Sequence, residues 1–288
     1  MTGPQVKEQV RQFYDRVGWQ MEGDGTYQNA RYEDLRPVSR EYIHRCHLRV
    51  TPYLQRGGRF LLDAGSGPIQ YPEYLTYSES YARRVCADIS IVALQEARGR
   101  IGDHGLFVVA DVSRLPFKAG AFDGVVSLHT LHHLPLDDQK TAYGELFRVL
   151  AAGRTGVVVN GWTDSPLMRR AQGLVNLMER AGRGVARLRG KEQAPAPAAA
   201  AQGGDQSPRP TGTFVQKLDA GWLRSELGSR IPLRILVWRS VSVRFLRAVI
   251  HAPLGGKYWL RLLFWLEDRF PAYFGEQGQY PLIVMEKK

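Results

Sequence analysis

Short apolar runs alternate with segments of helical periodicity through the first half of this 288-residue chain. The runs span residues 60–62, 85–87, 106–110, 124–128 and 156–159. Each run is too short for a typical helix, whereas residues 136–150 between the last two have a clear helical pattern. Strands that alternate with helices form parallel sheets covered on both faces. The alternation therefore predicts an α/β fold with a mostly parallel sheet.

The first apolar run leads directly into a glycine-containing bend. Asp63 ends the run, and Gly65 and Gly67 follow it. A glycine turn after a strand lets the backbone approach a nucleotide-like ligand closely at the carboxyl edge of a sheet. Gln70 stands where a dinucleotide-binding fingerprint has its third glycine, and the P-loop pattern with its lysine is absent. These departures disfavour NAD and ATP as ligands.

The next two strands also end in acids. Asp88 ends the second strand, 23 residues beyond Gly65, and Asp111 follows the third apolar run. A carboxylate at the position of Asp88 can accept hydrogen bonds from both hydroxyls of a ribose. Asp111 stands where an adenine amino group can be held. Together with Asp63, these acids predict a nucleoside site at the carboxyl ends of neighbouring strands.

The fourth apolar run continues into the segment Ser127-Leu-His-Thr-Leu-His-His-Leu134. With the glycine bend and the strand-end acids, this segment resembles the class I S-adenosylmethionine-dependent methyltransferases, specifically the small-molecule enzymes with an LHHL-type segment. The similarity covers roughly residues 55–162, and its motifs are specific for fold and cofactor but not for substrate. It implies a Rossmann-like, seven-stranded, mostly parallel sheet flanked by helices. The sixth strand is expected near residues 234–241 and the last at 280–285.

The resemblance also implies roles for individual residues. The residues implied in binding S-adenosylmethionine are Tyr14, Asp63, Gly65, Gly67, Asp88, Ile89, Asp111, Val112, Ser127 and His129. Within this set the family implies that Asp88 holds the ribose, that Asp111 and Val112 contact the adenine, and that residues 127–129 lie beside the sulfonium. Ile69 departs from the family, in which a third glycine is common at that place.

Two amphipathic helices precede the first strand. Val6, Val10 and Phe13 recur at helical spacing, and a second such pattern runs through residues 38–53. Tyr14 continues the first stripe, so it fits plain core packing as well as a contact with the cofactor. We expect an N-terminal helical cap, a cofactor-binding core, and a helical insertion after the fifth strand followed by the last two strands. These parts span residues 1–54, 55–162 and 163–288.

His129 and His133 are the candidate catalytic residues. Methyl transfer from a sulfonium is an in-line displacement, which depends mainly on alignment of the reacting groups. A hydroxyl or protonated amine must also lose a proton, and histidine is the base best matched to neutral pH. His132 fits a structural role better. His44 and His47 lie three residues apart on a helix but lack partners with ligand spacing, so we expect no metal site.

The whole net charge of +11 falls in residues 151–288. The segment 227–266 has no acidic residue and alternates basic with aromatic side chains, a mixture that suits an anionic membrane surface. A solvated basic face over an apolar core is the alternative interpretation. Residues 191–212 contain no Ile, Leu, Val, Met or aromatic residue, which predicts a flexible linker.

These observations predict a methyltransferase that acts on an oxygen or nitrogen atom of a small, apolar or anionic biosynthetic intermediate. An RNA methyltransferase that uses the basic half, and a non-catalytic cofactor-binding module, are the alternatives. Against an RNA methyltransferase, the chain lacks, after the fourth strand, the Asn/Asp-Pro-Pro-aromatic run typical of enzymes that methylate exocyclic amines on bases. Two cysteines in so long a chain, and the lack of a signal peptide or a bilayer-spanning segment, predict a cytoplasmic protein. The basic and aromatic segment 227–266 adds the expectation of peripheral contact with a membrane.

Overall fold

The computed structural model describes residues 3–19, 33–188 and 213–288. The strands in these ranges are β1 (Gly58–Ala64), β2 (Tyr81–Asp88), β3 (Gly105–Val109), β4 (Phe122–Leu128), β5 (Leu150–Val159), β6 (Leu233–Arg239) and β7 (Tyr280–Glu286). They form one seven-stranded sheet in the order β3-β2-β1-β4-β5-β7-β6. Strands β1 to β5 are parallel, and β7 runs antiparallel to both of its neighbours. The fold is thus the expected Rossmann-like, mostly parallel sheet.

Helices flank this sheet on both faces. Their bounds are α1 (Gly3–Phe13), α2 (Pro37–Leu48), α3 (Thr51–Leu54), α4 (Pro72–Leu75), α5 (Ile91–Ile101), α6 (Leu136–Val149), α7 (Pro166–Leu188), α8 (Ala220–Leu227), α9 (Val243–Val249), α10 (Gly256–Arg269) and α11 (Pro271–Gln277). A π-helical turn, Tyr14–Gly18, continues α1. The helices predicted at the N-terminus and between the strands are therefore confirmed.

The order in which the chain adds strands to the sheet changes direction at β1, because β2 and β3 lie on one side of β1 and β4 and β5 lie on the other. Strand β1 pairs with β2 on one side and with β4 on the other. In open α/β sheets, ligands bind in the crevice that such a reversal opens at the carboxyl ends of the strands. Asp63 lies next to the end of β1, and Asp88 is the last residue of β2. The topology thus brings both acids to the edge of the sheet where that crevice lies.

Separate apolar cores cover the two faces of the sheet. Leu62, Val125 and Val158 pack in one core with Leu146 of α6. Their immediate neighbours along the strands, 61, 126 and 157, pack in the other core. Successive strand residues point to opposite faces, so a strand buried on both faces reads as a continuous apolar run. This explains why the strands were visible in the sequence as short apolar runs.

The N-terminal and C-terminal parts of the chain meet around a buried glutamate, Glu267. The hydroxyl of Tyr42 in α2 donates to Glu267 Oε1 at 2.7 Å, and Arg49 Nη1 donates to Oε2 at 2.8 Å. Apolar side chains of α2 and α10 pack beside these bonds, among them Cys46 and Phe264. Helix α10 is therefore anchored to α2 through one face.

Strand β6 ends before its predicted end, and helix α10 follows a tight turn. Strand β6 ends at Arg239 because the N–H of Ser240 donates to Glu267 Oε1 at 2.9 Å instead of continuing the ladder. Helix α10 begins at Gly256, after a 3₁₀ turn and a left-handed Gly255 with φ 69°. The predicted linker 191–212 lies outside the described residues. Within the part of the chain that the structure describes, no helix combines the length and apolarity needed to cross a membrane.

Candidate active site

A cavity of about 460 Å³ opens at the carboxyl ends of the central strands. Small-molecule sites in proteins commonly have volumes of about 300–1,000 Å³. The residues predicted at the site that line the cavity are Tyr14, Asp63, Gly65, Gly67, Asp88, Ile89, Asp111, Val112, His129 and His133. The sequence motifs therefore converge on one cavity, although they are spread from α1 to the segment after β4.

The backbone bends sharply after β1. Gly65 and Gly67 have φ angles of 72° and 52°, in the left-handed region that favours glycine. A Cβ atom on Gly65 would lie 2.2 Å from Cγ2 of Thr130, which is too close for any side chain. The hydroxyl of Thr130 also donates to the Gly65 carbonyl at 3.1 Å. The bend is thus fixed from behind, with its backbone on the cavity wall.

Ile69 keeps a left-handed backbone where the related enzymes commonly have glycine. Its φ is 55°, and its side chain is fully buried. The left-handed conformation costs a residue with a Cβ roughly 1–2 kcal/mol. Burial of the isoleucine side chain in the core offsets that strain, because it stabilises the fold by roughly 1.5–3 kcal/mol. The substitution therefore leaves the path of the bend intact.

Asp88 is a desolvated acid with no cation beside it. Its Oδ2 accepts a hydrogen bond from the Gly67 N–H and its Oδ1 accepts one from the Ser90 N–H, both at 2.9 Å. Among the described residues no Lys, Arg or His pairs with it. Burial, together with the nearby charges of Asp63 and Asp15, raises the pKa of Asp88 to about 6. Such a carboxylate is a strong acceptor for hydroxyl groups of a ligand, because those donors would relieve its desolvation.

Asp63 is held by Arg84, a fully buried side chain of β2. Arg84 Nε donates to Asp63 Oδ2 at 3.0 Å, and Nη2 donates to the same oxygen. The third contact, from Arg84 Nη1, is to the carbonyl of Tyr74. Within the described ranges no donor reaches Asp63 Oδ1. This oxygen is the part of Asp63 that can meet a positively charged group in the cavity.

Both oxygens of Asp111 are engaged by other residues. Oδ2 accepts from Lys7 Nζ at 2.7 Å, and Oδ1 accepts from the N–H and the hydroxyl of Ser113, each at 2.8 Å. Although burial acts in the opposite direction, these bonds lower the pKa of Asp111. Lys7 Nζ also lies 3.1 Å from Asp138 Oδ2. Asp111 therefore fastens α1 over the cavity, and an adenine amino group would have to share it with Lys7.

Tyr14 and His133 form a second hydrogen-bonded link between the N-terminal segment and the rest of the site. The carbonyl of Phe214 accepts from His133 Nδ1 at 2.8 Å. His133 Nε2 then accepts from the hydroxyl of Tyr14 at 2.7 Å. Tyr14 also stacks on Trp19, with 5.0 Å between the ring centroids. Burial lowers the pKa of His133 to about 4, so the ring is neutral at pH 7 with both nitrogens occupied.

His129 enters the cavity from a left-handed residue directly after β4. Its φ is 54°, and its N–H donates to the carbonyl of Val159 at 2.7 Å. The ring meets Trp238 and Tyr280 edge to face, with centroid separations of 5.0 and 5.7 Å. Burial, with the positive charge of Arg239, lowers the pKa of His129 to about 3. The imidazole is consequently neutral and weakly basic at neutral pH.

Ser127 does not reach the cavity. It is buried, and its hydroxyl donates to the carbonyl of Ala64 at 2.7 Å, which ties β4 to β1. Its position therefore does not support the expected contact with the cofactor. His132 does line the cavity, and its Nδ1 lies 3.2 Å from Asn160 Oδ1, as suits the structural role expected for it.

His44 and His47 both bind Glu73. Their Nδ1 atoms lie 2.5 and 3.3 Å from the two carboxylate oxygens. His47 is buried, unlike the exposed His44. Across residues 3–19, 33–188 and 213–288, no three His, Cys, Asp or Glu side chains are grouped so that they could hold a metal ion.

The cavity continues past His129 to residues that no sequence motif indicated. They are Glu33, Tyr71, Lys217, Arg239 and Tyr280. These residues come from distant parts of the chain, and Arg239 and Tyr280 reach the cavity because the sheet order places β7 and β6 beside β5. Lys7 and Trp19 were also missed, although their closeness to Tyr14 in the sequence was a usable signal.

Basic residues of the segment 227–266 form ion pairs with carboxylates from other parts of the chain. The ion pairs are Arg234 with Glu286, Arg239 with Glu33, Arg244 with Glu179, and both Lys257 and Arg261 with Glu41. Much of the local excess of positive charge seen in the sequence is therefore balanced inside the fold.

Comparison with known proteins finds a matching family and a curated relative. Residues 62–158 match the family described as a methyltransferase domain. The malonyl-[acyl-carrier protein] O-methyltransferase of Legionella pneumophila is 33% identical over 103 residues, which are 35% of this chain and 36% of that protein. The chain thus matches about a third of the length of this curated relative.

Two solved structures show the same fold. Phosphoethanolamine N-methyltransferase 1 of Haemonchus contortus, in complex with phosphoethanolamine and S-adenosylhomocysteine, has a TM-score of 0.57 at 11% identity, over 100% of this chain and 50% of that one. Geranyl diphosphate C-methyltransferase of Streptomyces coelicolor A3(2) has a TM-score of 0.51 at 16% identity, over 98% of both chains.

Residues 62–158 are thus similar to a methyltransferase domain, and they lie in a sheet whose fold is shared with the two solved methyltransferase structures. The family of the matched domain binds S-adenosylmethionine. Within the described residues, the cavity fits that cofactor in three respects: a glycine bend without side chains, the carboxylate of Asp88 without a counter-ion, and Oδ1 of Asp63 without a donor.

Proposed function

We propose that the chain transfers a methyl group from S-adenosylmethionine to an oxygen or nitrogen atom of a small-molecule acceptor. The convergence of the glycine bend, the three strand-end acids and His129 on a cavity that extends beyond His129 carries this proposal. When bound, the cofactor supplies an electrophilic methyl group. The extension of the cavity supplies space in which an acceptor can be aligned, which is the main requirement for an in-line displacement.

The histidines after β4 have different roles in this proposal. His133 is a positioning residue, because both ring nitrogens are used to hold Tyr14 and the segment at Phe214. Neither ring nitrogen of His129 has a hydrogen-bond partner among the described residues, so His129 is the histidine that can touch an acceptor. With a pKa of about 3 it is better suited to orient a hydroxyl or amine than to remove its proton at neutral pH.

A small acceptor is favoured over RNA. The cavity has the volume of a small-molecule site, and the arginines that would bind phosphates in the segment 227–266 are largely paired with carboxylates. The names of the relatives, which include a malonyl-[acyl-carrier protein] O-methyltransferase and a geranyl diphosphate C-methyltransferase, support the same choice.

Two measurements test the proposed activity. Calorimetry with S-adenosylhomocysteine is expected to show one binding site per chain. Incubation with methyl-labelled S-adenosylmethionine and a cell extract is expected to label a low-mass fraction, and an Asp88→Asn variant is expected to lose this label. Label confined to RNA or protein would contradict a small-molecule acceptor. Binding of S-adenosylhomocysteine with no labelled product in any fraction would favour the non-catalytic module.

We also propose that the segment 227–266 contacts anionic membranes peripherally. Helix α10 leaves one face exposed, with Tyr258, Trp259, Leu262 and Trp265 each at least 46% accessible. Their spacing of three and four residues places them together, opposite the face anchored to α2. Tryptophan and tyrosine favour the headgroup region of a bilayer, and Lys257 directly precedes Tyr258 in the sequence.

Vesicle sedimentation tests this surface. The full chain is expected to bind vesicles of phosphatidylcholine mixed with phosphatidylserine more strongly than vesicles of phosphatidylcholine alone. Trp265→Ser is expected to weaken binding by about tenfold, because it removes one large apolar side chain from the contact. Leu177→Ser, an exposed position on α7, serves as the matched control. Equal recovery with both kinds of vesicle would contradict the proposal.

A further inference from the structure

The part of the cavity beyond His129 carries a further inference, which rests on the proposed function. We propose that Lys217 and Arg239 bind an anionic oxygen group of the acceptor, a carboxylate or a phosphate.

Lys217 is a partly buried cation without a counter-ion. Among the described residues no carboxylate pairs with its Nζ, and no hydrogen bond from it is formed. The side chain lies over the backbone that follows β5, since a Cβ on Gly161 would be 3.3 Å from Lys217 Nζ and 3.4 Å from Cε1 of Tyr280. Burial lowers the pKa of Lys217. Desolvating an ammonium group is costly unless an anion compensates it, and the cavity is where such an anion can enter.

Arg239 adds a second donor to the same region. Its side chain is 1% exposed, and one end of the guanidinium pairs with Glu33. The Nε atom has no hydrogen-bond partner among the described residues, although buried guanidinium donors are normally satisfied. The guanidinium carbon lies 4.5 Å from the ring centroid of Tyr280, and both that ring and Lys217 lie next to Gly161 and line the cavity. Tyr280 thus brings the two cations to one wall of the cavity.

The charges along the cavity differ in sign from one end to the other. Asp63 is balanced by Arg84, Asp111 by Lys7, and Arg239 by Glu33. Among the described residues that line the cavity, the carboxylate of Asp88 at the end of β2 and the ammonium of Lys217 beside β5 are left unbalanced. Three strand spacings separate β2 from β5 in the sheet, or roughly 14 Å. The end near Lys217 therefore attracts an anion, while the end near Asp88 attracts hydroxyl donors and positive charge.

His129 lies between these two ends, and its ionisation responds to an anion. The charges of both Arg239 and Lys217 lower the pKa of His129, after burial itself. An anion bound by the two cations would cancel part of this effect and make the imidazole more basic. Binding of an anionic acceptor would thus restore some capacity of His129 to accept a proton.

Four probes of equal chain length test the proposal: hexanoate, hexyl phosphate, hexanol and hexylamine. Each is titrated by calorimetry into the full chain loaded with S-adenosylhomocysteine. At least one of the two anions is expected to bind about tenfold or more tightly than the alcohol and the amine, because charge-assisted hydrogen bonds replace neutral ones. Comparison of hexanoate with hexyl phosphate distinguishes a carboxylate from a phosphate.

Variants of Lys217 locate the effect. Lys217→Met is expected to weaken anion binding about tenfold, and Lys217→Arg to retain it, since the charge is kept. Lys118→Met changes an exposed lysine outside the cavity lining and is expected to leave anion binding unchanged. Equal binding of all four probes, or anion binding that survives Lys217→Met, would overturn the proposal.

The design separates this proposal from the proposed function. Lys217→Met is expected to bind S-adenosylhomocysteine as the parent chain does, because Lys217 lies at the far end of the cavity from Asp88. Titration of hexanoate and hexyl phosphate into the cofactor-free chain reads the anion site directly. Anion binding without any binding of S-adenosylhomocysteine would refute the methyltransferase proposal and leave the anion site intact.

Discussion

Replacement of Asp88 by asparagine is expected to stabilise the cofactor-free protein and to weaken cofactor binding. The two effects have one cause. The carboxylate is desolvated beside β1, and in the described part of the chain its hydrogen-bond partners are the N–H groups of Gly67 and Ser90. Folding therefore works against its negative charge. A neutral amide of the same shape removes that cost, but it also removes the charge with which Asp88 would bind ribose hydroxyls.

The size of the effect follows from the pKa. A rise from the ordinary value of 3.8 to about 6 corresponds to roughly 3 kcal/mol, since a tenfold change in an ionisation constant is worth about 1.4 kcal/mol. Asparagine has one carbonyl oxygen where aspartate has two acceptors, so one backbone hydrogen bond is lost, at a cost of about 1–2 kcal/mol. We expect Asp88→Asn to raise the free energy of unfolding by about 1–2 kcal/mol at neutral pH.

The pH dependence gives the effect a signature. Because the pKa of Asp88 is higher in the folded state, the folded protein holds this proton more tightly than the unfolded chain. The carboxylate therefore costs nothing below about pH 3.8, costs more as the pH rises, and reaches its full cost above about pH 6. The gain from Asp88→Asn should be larger by about 1 kcal/mol at about pH 7.5 than at about pH 5.

Urea unfolding of both proteins at the two pH values measures this difference. Calorimetry with S-adenosylhomocysteine measures the second effect, which we expect to be a loss of affinity of about 10- to 100-fold from the loss of charge-assisted hydrogen bonds. Asp103→Asn is the control, because Asp103 is exposed and lies outside the cavity lining. A change in stability that is the same at both pH values, or an unchanged affinity, would refute the reasoning.

Three further substitutions probe the contacts around the bend and the N-terminal cover. Arg84→Met strands the buried carboxylate of Asp63 and is expected to lower the free energy of unfolding by about 3–5 kcal/mol in urea, with partial recovery in the double variant with Asp63→Asn. Tyr14→Phe removes the hydrogen bond to His133, which is worth about 1 kcal/mol, and is expected to weaken S-adenosylhomocysteine binding about fivefold by calorimetry. Unchanged binding would show that this bond does not contribute to cofactor affinity. Ile69→Gly relieves a left-handed φ but loses a buried side chain, and since the second effect is larger, urea midpoints should fall; a rise would mean that strain dominates.

The sequence was sufficient for the elements and for the convergence of the motifs. Strands buried on both faces produce apolar runs, and parallel strands bring their carboxyl ends to one edge, so Asp63, Asp88 and Asp111 could be expected together. The alternation of side chains along β4 points Ser127 to the same face of the sheet as Val125, where its hydroxyl donates to the carbonyl of Ala64, and the cavity lining does not include it. A motif that spans consecutive residues cannot tell which of them faces the ligand.

The electrostatic state of each acid could not be predicted, because the partners are distant in the chain. Asp111 pairs with Lys7, 104 residues away, and the Arg239–Glu33 pair joins residues 206 apart. The same limit applies to the segment 227–266, which has no acid of its own yet is largely neutralised by glutamates from other elements. Charge counted along a sequence overstates the field at the surface when long-range pairs form.

Three acids of the same kind thus serve three different purposes at one edge of the sheet. Arg84 neutralises Asp63 and Lys7 neutralises Asp111, so these two acids mainly stabilise the strands and the N-terminal cover. Among the described residues no cation pairs with Asp88, and its two backbone hydrogen bonds offset only part of the cost of its burial. Burial likewise lowers the pKa of Lys217 at the other end of the cavity. A ligand gains most affinity from a charged group when the protein has left that charge uncompensated, because a satisfied pair must first be broken. Asp88 and Lys217 are therefore the positions at which cofactor and acceptor can each relieve a cost of folding. Since each ligand would relieve a different charge, their stabilising effects should add.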